Sequence, residues 1–155
     1  RADIVVAYAR AALACDDHES AEAALRESIE RGWDENTVLT YGEVESDEPF
    51  QVLERAESWL PERPEDAALL LTCARLAARA GLYGKARSYL ETSIAIRPRL
   101  EAYQLLASLM KQLGERERAL QALNDALAFA VGRKAKLPKI HTRRWLDRRH
   151  GDRRR

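Results

Sequence analysis

The sequence predicts an all-α fold, a right-handed superhelix of about four stacked helix pairs with a short C-terminal helix after them. Three observations carry this. Leu70, Ala74, Ala77, Gly81, Ala86, Leu90, Ser93 and Ile94 are matched 33 residues later by Tyr103, Ala107, Met110, Gly114, Ala119, Leu123, Ala126 and Leu127. A third copy stands earlier, since Ala21, Leu25, Ser28 and Ile29 precede Ala86, Leu90, Ser93 and Ile94 by 65 residues, close to two repeats. Hydrophobic residues make up 46% of the chain but aromatics only 6%, so alanine and leucine fill the interior, as closely packed helices require.

A fixed period near 34 residues, with a small residue between two apolar helices, is the signature of tetratricopeptide repeats. Such an array builds its core by stacking units rather than around one central globule. The sequence places units near 2–33, 35–64, 65–98 and 100–131, forming one repeat domain over 1–132, and leaves 133–155 as a basic tail.

In the first unit, residues 3–14 carry a broad apolar face, and Asp16 and Asp17 interrupt it. Ser20 is the expected N-cap of a second helix reaching Arg31, because its hydroxyl can accept from a backbone N–H of the first turn. The second unit is degenerate. A short helix is expected around Asn36 to Glu43, then an acidic loop, then a helix from Pro49 to Leu60. Proline at the first helical position after acidic residues suits a helix start, and Pro61 and Pro64 end it.

The third unit pairs residues 65–80 with 85–96, and the fourth pairs 100–113 with 116–131. Gly81 and Gly114 make the turns, where a left-handed backbone ends one helix before the next begins. Ala86 is small because two helices cross closely there. Beyond Gly132 the pattern decays, and Ile140, Trp145 and Leu146 are the apolar residues of a short helix that would cap the last repeat.

The net charge of +1 hides an asymmetry. Residues 1–132 hold 15 Lys+Arg against 23 Asp+Glu, net −8, whereas residues 133–155 hold 11 against 2, net +9. Such blocks point to a separate role for the tail: it reads as a plain solvated end, as a contact for anionic lipid or nucleic acid, since clustered Lys and Arg gain about 1 kcal/mol each near a lipid surface, or as a segment folded back on the acidic body. Nucleic acid as main partner is disfavoured by the acidic body and its few aromatic platforms.

Cys15 and Cys73 both fall where a small apolar residue is wanted, and read as buried free thiols. No run of 18 apolar residues is present. No signal peptide is visible, and the chain starts at Arg1 inside a helical pattern, so it reads as a soluble fragment of a longer protein.

Nothing in the sequence assembles a catalytic group, and the protein reads as a non-enzyme. There is no phosphate-cradling glycine loop, no HExxH and no Cys-x-x-Cys, and His18, His141 and His150 lie far apart. No metal site is expected. His18 is expected to be a solvated residue of an inter-helix turn. The informative surface is the groove lined by the first helix of each pair. With position one set at Ala2, Ala67 and Leu100, the groove positions carry Arg10, Arg75, Arg79, Gln104 and Lys111. Arginine forks recognise carboxylates in bidentate fashion, so these residues are the candidate partner-binding groove. The asparagine pattern that clamps C-terminal carboxylates in chaperone-binding repeats is missing, which argues against a chaperone co-factor.

Residues 60–130 carry a more specific likeness. Gly81-Leu-Tyr-Gly-Lys-Ala-Arg87, then Tyr89-Leu-Glu91, Arg97-Pro98, Glu101-Ala-Tyr103 and Leu113-Gly-Glu115 resemble the C-terminal region of HemY proteins, with Tyr83 standing where that family often has tryptophan. The resemblance implies a cytoplasmic repeat domain at the bacterial inner membrane, anchored by an N-terminal region missing from this sequence. It also implies a non-enzymatic part in late haem or porphyrin synthesis, with haem-biosynthesis enzymes as protein partners. It names no catalytic residues. Two alternatives stand beside it: an adaptor for another membrane or envelope assembly, and a module that binds haem or porphyrin directly through its propionates.

Overall fold

Eight α-helices follow one another in the computed structural model, which describes residues 1–132. They are α1 (Ala2–Ala14), α2 (His18–Arg31), α3 (Glu35–Tyr41), α4 (Pro49–Glu57), α5 (Ala67–Arg79), α6 (Tyr83–Ile96), α7 (Leu100–Gln112) and α8 (Arg116–Val131). The basic segment 133–155, and with it the capping helix expected around Ile140, Trp145 and Leu146 and the lipid contact expected of the tail, lies outside the described residues. Among the described residues no helix is long and apolar enough to cross a membrane.

The odd-numbered helices form one layer, α1 on α3, α3 on α5 and α5 on α7, while α2, α4 and α6 each also pack on the odd one that follows. The backbones of the even-numbered helices stand apart, with α4 and α6 meeting through side chains, so the array curves toward the odd-numbered layer, which is its concave face. The helices α1 and α2, α5 and α6, and α7 and α8 pack as pairs. The turns of the last two follow the sequence, with Gly81 at φ 74° and Gly114 at φ 77°, both left-handed. Ala86 is fully buried at its crossing.

Three local expectations are corrected. The cap of α2 is Asp17, whose carboxylate accepts from the Ser20 N–H at 3.1 Å, so Ser20 lies inside the first turn. The helix α3 stops at Tyr41 and α4 at Glu57. Cys73 is buried, but Cys15 is exposed because it sits at the C-terminal cap of α1, beyond the apolar face.

The degenerate unit departs furthest from the repeat. Its two helices do not pack on each other, and both pack on α5 instead. Their anchors are polar groups at the ends of an aromatic core. The Thr72 hydroxyl of α5 donates to the Val38 carbonyl of α3 at 2.8 Å, both out of contact with water. Glu57 at the end of α4 accepts from the Tyr89 hydroxyl at 2.7 Å and pairs with Lys85 at 2.6 Å, tying α4 to α6. Between them Tyr41 meets Trp59 edge-on at 5.1 Å, and Trp59 meets Trp33 at 6.2 Å. Asp66 caps α5 through the Leu69 N–H and also accepts from the Trp33 indole at 2.9 Å.

Nearly every residue of α5 from Ala67 to Ala77 is buried, Arg75 excepted, so this helix is the centre of the molecule. Gly42 approaches it so closely that a Cβ there would lie 3.2 Å from Arg75 Cδ and 3.3 Å from Thr72 Cα.

Candidate functional site

The expected groove residues all lie on helices of the odd-numbered layer, α1, α5 and α7, but have different duties. Arg10, Gln104 and Lys111 are exposed on α1 and α7. Arg10 reaches Glu43, just beyond α3, at 3.9 Å. Arg75 and Arg79 are turned to another use. Arg75 donates from Nη1 to the Leu39 carbonyl at 3.4 Å. Arg79 donates from Nη1 to the carbonyls of Gly42 and Val44, the latter at 3.1 Å, and its other nitrogen approaches Glu45 at 3.8 Å. The Leu39 and Gly42 carbonyls are among those a helix leaves unpaired at its C-terminal end, and the Val44 carbonyl belongs to the loop that follows. Burial lowers the proton affinity of the Arg79 guanidinium, and Glu45 opposes that effect.

The groove is therefore mixed in charge. Two of its cations stitch α5 to the frayed end of α3, and Glu43 and Glu45 stand among the rest. Arg10 on α1 and Gln104 and Lys111 on α7 stand exposed at opposite ends of the layer, rather than forming a continuous basic trough. The groove register rests on the well-formed units and omits α3, so the acidic contribution of Glu43 and Glu45 has no mark in it.

A further clamp closes the face at its other end. Glu35, in the first turn of α3, accepts from Arg97 at 3.1 Å and from Arg99, both in the α6–α7 linker. The three residues span 64 positions of sequence, and no local pattern in the sequence marks them.

His18 also differs from its expected role. Its ring is mostly shielded, Nδ1 accepts from the Glu45 N–H at 3.0 Å and Nε2 faces Asp16 at 3.2 Å. It pins the α3–α4 loop to the α1–α2 turn. The cleft beside it, of about 720 Å³, is lined by Asp17, Glu19, Glu22, Asp47 and Arg55. Among the described residues no group of His, Cys, Asp and Glu is placed to hold a metal ion.

Comparison with known proteins bears on the fold. The family model described as Tetratricopeptide repeat matches residues 100–130, the α7–α8 pair. The fold is a tetratricopeptide-repeat superhelix. Solved structures agree. MamA from Desulfovibrio magneticus RS-1 (residues 41 to the end) superposes with a TM-score of 0.61 at 11% identity, covering 87% of this chain and 78% of that one. MamA AMB-1 gives 0.58 at 16% identity, covering 85% and 80%. A further crystal structure of MamA gives 0.57 at 16%, covering 82% and 77%. Identities this low speak to the shared repeat architecture. No curated protein matches the sequence.

Proposed function

We propose that this chain is a non-enzymatic scaffold, the repeat domain of a HemY-like inner-membrane protein, and that its concave face docks protein partners of late haem biosynthesis. The likeness in Gly81-Leu-Tyr-Gly-Lys-Ala-Arg87 and the strings after it supports the family reading. The observation that carries the docking reading is the concave face itself. Arg10, Gln104 and Lys111 stand exposed on it, presented by helices from opposite ends of the array. Isolated surface charges contribute little, so a ligand gains affinity here only by spanning several helices, as an acidic protein surface does.

The test uses purified late haem-pathway enzymes from the same bacterium, immobilised and titrated with the chain. The expected result is saturable binding to at least one of them. The paired substitution Arg10→Glu and Lys111→Glu weakens it about tenfold or more, as loss of two charge-assisted contacts implies. The paired substitution Arg31→Glu and Arg118→Glu, on the even-numbered helices, leaves it within about twofold. Binding to none of these enzymes, with the helical circular-dichroism signal intact, returns the module to a general adaptor role.

A further inference from the structure

We propose that the two ends of the array are complementary halves of one interface, so that copies of this chain stack head to tail, α1 of one copy upon α8 of the next. The argument starts from the junction between α6 and α7. There Leu90 and Ile94 of α6 share an apolar cluster with Ala102 and Leu106 of α7, and Leu90 is fully buried.

Among the described residues the repeat carries this junction, unmated, to both ends, and the cap expected of Ile140, Trp145 and Leu146 is the rival occupant of the α8 end. The residues 33 positions after Leu90 and Ile94 are Leu123 and Leu127 of α8, which are 45% and 64% exposed. In the groove register that begins at Ala2 and Leu100, the counterparts of Ala102 and Leu106 are Ile4 and Tyr8 of α1, 65% and 52% exposed. Thus α8 offers the half of the junction that α6 gives to α7, and α1 offers the half that α7 gives to α6.

Neither face is an accident of a solubilised surface. Leu120 lies one turn before Leu123 on α8 and is also exposed, so the stripe continues along the helix. On α1, Ala7 and Ala11 flank Tyr8 with small exposed side chains that let another helix approach. Exposed apolar side chains in such contiguous stripes mark interaction surfaces.

Charge selects the order of stacking. Residues 1–66 hold 6 Lys+Arg against 18 Asp+Glu, net −12, and residues 67–132 hold 9 against 5, net +4. A head-to-tail contact sets the acidic half of one copy against the basic half of the next. An α1-to-α1 contact sets two acidic halves against each other, which long-range electrostatics opposes. Because the two faces differ, the contact is heterologous and does not close after two copies. Stacking also continues the concave layer from one copy into another. The inference stands apart from the docking proposal above, because it uses no groove residue.

Sedimentation velocity on the chain 1–155 provides the test, with two blocked variants. One carries Leu123→Glu and Leu127→Glu, the other Ile4→Glu and Tyr8→Glu. All four positions are exposed, so the helical circular-dichroism signal is expected to stay unchanged. The unsubstituted chain is expected to form a concentration-dependent series from micromolar to near-millimolar protein. Each blocked variant alone should sediment as one chain of 17.6 kDa. The two blocked variants mixed carry one intact donor face and one intact acceptor face, and should form a single species of twice that mass. A monomeric unsubstituted chain over the whole range, a mixture that stays monomeric, or association that survives blocking α1 would each overturn the proposal.

Discussion

Asp16 and Gly81 hold the same left-handed backbone, φ 63° and φ 74°, at positions 65 residues apart. Gly114 repeats it 33 residues later. All three follow the last turn of an odd-numbered helix and redirect the chain into its partner. Asp16 is the one described residue other than glycine at positive φ. A side chain costs about 1–2 kcal/mol in that region, less for Asp and Asn, whose short polar groups bond locally. The Asp16→Gly variant is therefore expected to be more stable than Asp16→Ala by about 1 kcal/mol. Urea unfolding of the two variants side by side checks this, and equal midpoints would mean that the turn relaxes without cost.

A second prediction concerns Arg79. Its guanidinium serves the carbonyls of Gly42 and Val44 from a side chain 34% exposed. Arg79→Met keeps much of the apolar stem and removes the donors, and is expected to destabilise the chain by about 1–2 kcal/mol, discounted for the solvent that reaches the site. Arg79→Lys recovers only part, because one ammonium cannot span two carbonyls as a planar fork does. Denaturant midpoints read both changes.

Asp66 does two jobs with one carboxylate, capping α5 at the Leu69 N–H and accepting from the Trp33 indole. Asp66→Ala loses a cap, about 1 kcal/mol, and leaves a half-buried indole N–H without its partner. The expected total is about 2 kcal/mol, with Asp66→Asn recovering most of it. Tryptophan fluorescence follows the same change, since Trp33 meets Trp59 edge-on and lies beneath Arg63.

The two cysteines separate by chemistry. Burial pushes the Cys73 thiol up to about 12, and Glu57 adds to that, whereas Cys15 is exposed. A thiol-specific disulfide reagent at pH 8 is expected to consume one thiol per chain at once and the second only after unfolding, since the thiolate is the reactive form. The raised value also predicts a pH effect. The folded chain holds the Cys73 proton more tightly than the unfolded one, so this contribution to stability is full below the ordinary thiol value of 9.0. It is lost as pH rises from there through about 12. Stability of Cys73→Ala should fall less over that interval.

These residues also show what the sequence makes legible. The glycine turns, the buried Ala86 and the helix pairs of the later units follow from an offset of 33 residues, because each is a local requirement repeated in a matching context. The degenerate unit breaks that logic. Gly42 has helical dihedrals rather than a left-handed turn, and it is glycine because the backbone of Thr72 lies against it. Arg75 and Arg79 look like free groove cations until the end of α3 arrives to occupy them. Asp16 escapes notice because aspartate is not the residue that a turn template seeks. Asp17 and Ser20 are both good caps, and only the backbone path decides between them.

The central claim is that the concave face receives the partner. A photo-crosslinking amino acid placed at Gln104 on that face, and separately at Glu91 on α6, measures it directly in the native bacterium. Both positions are exposed, so neither insertion disturbs the core. The expected result is a discrete crosslinked partner from Gln104, lost when Arg10→Glu and Lys111→Glu are present, and no such product from Glu91. A product from Glu91 alone, or one of equal yield from both positions that ignores the two charge reversals, would contradict the account.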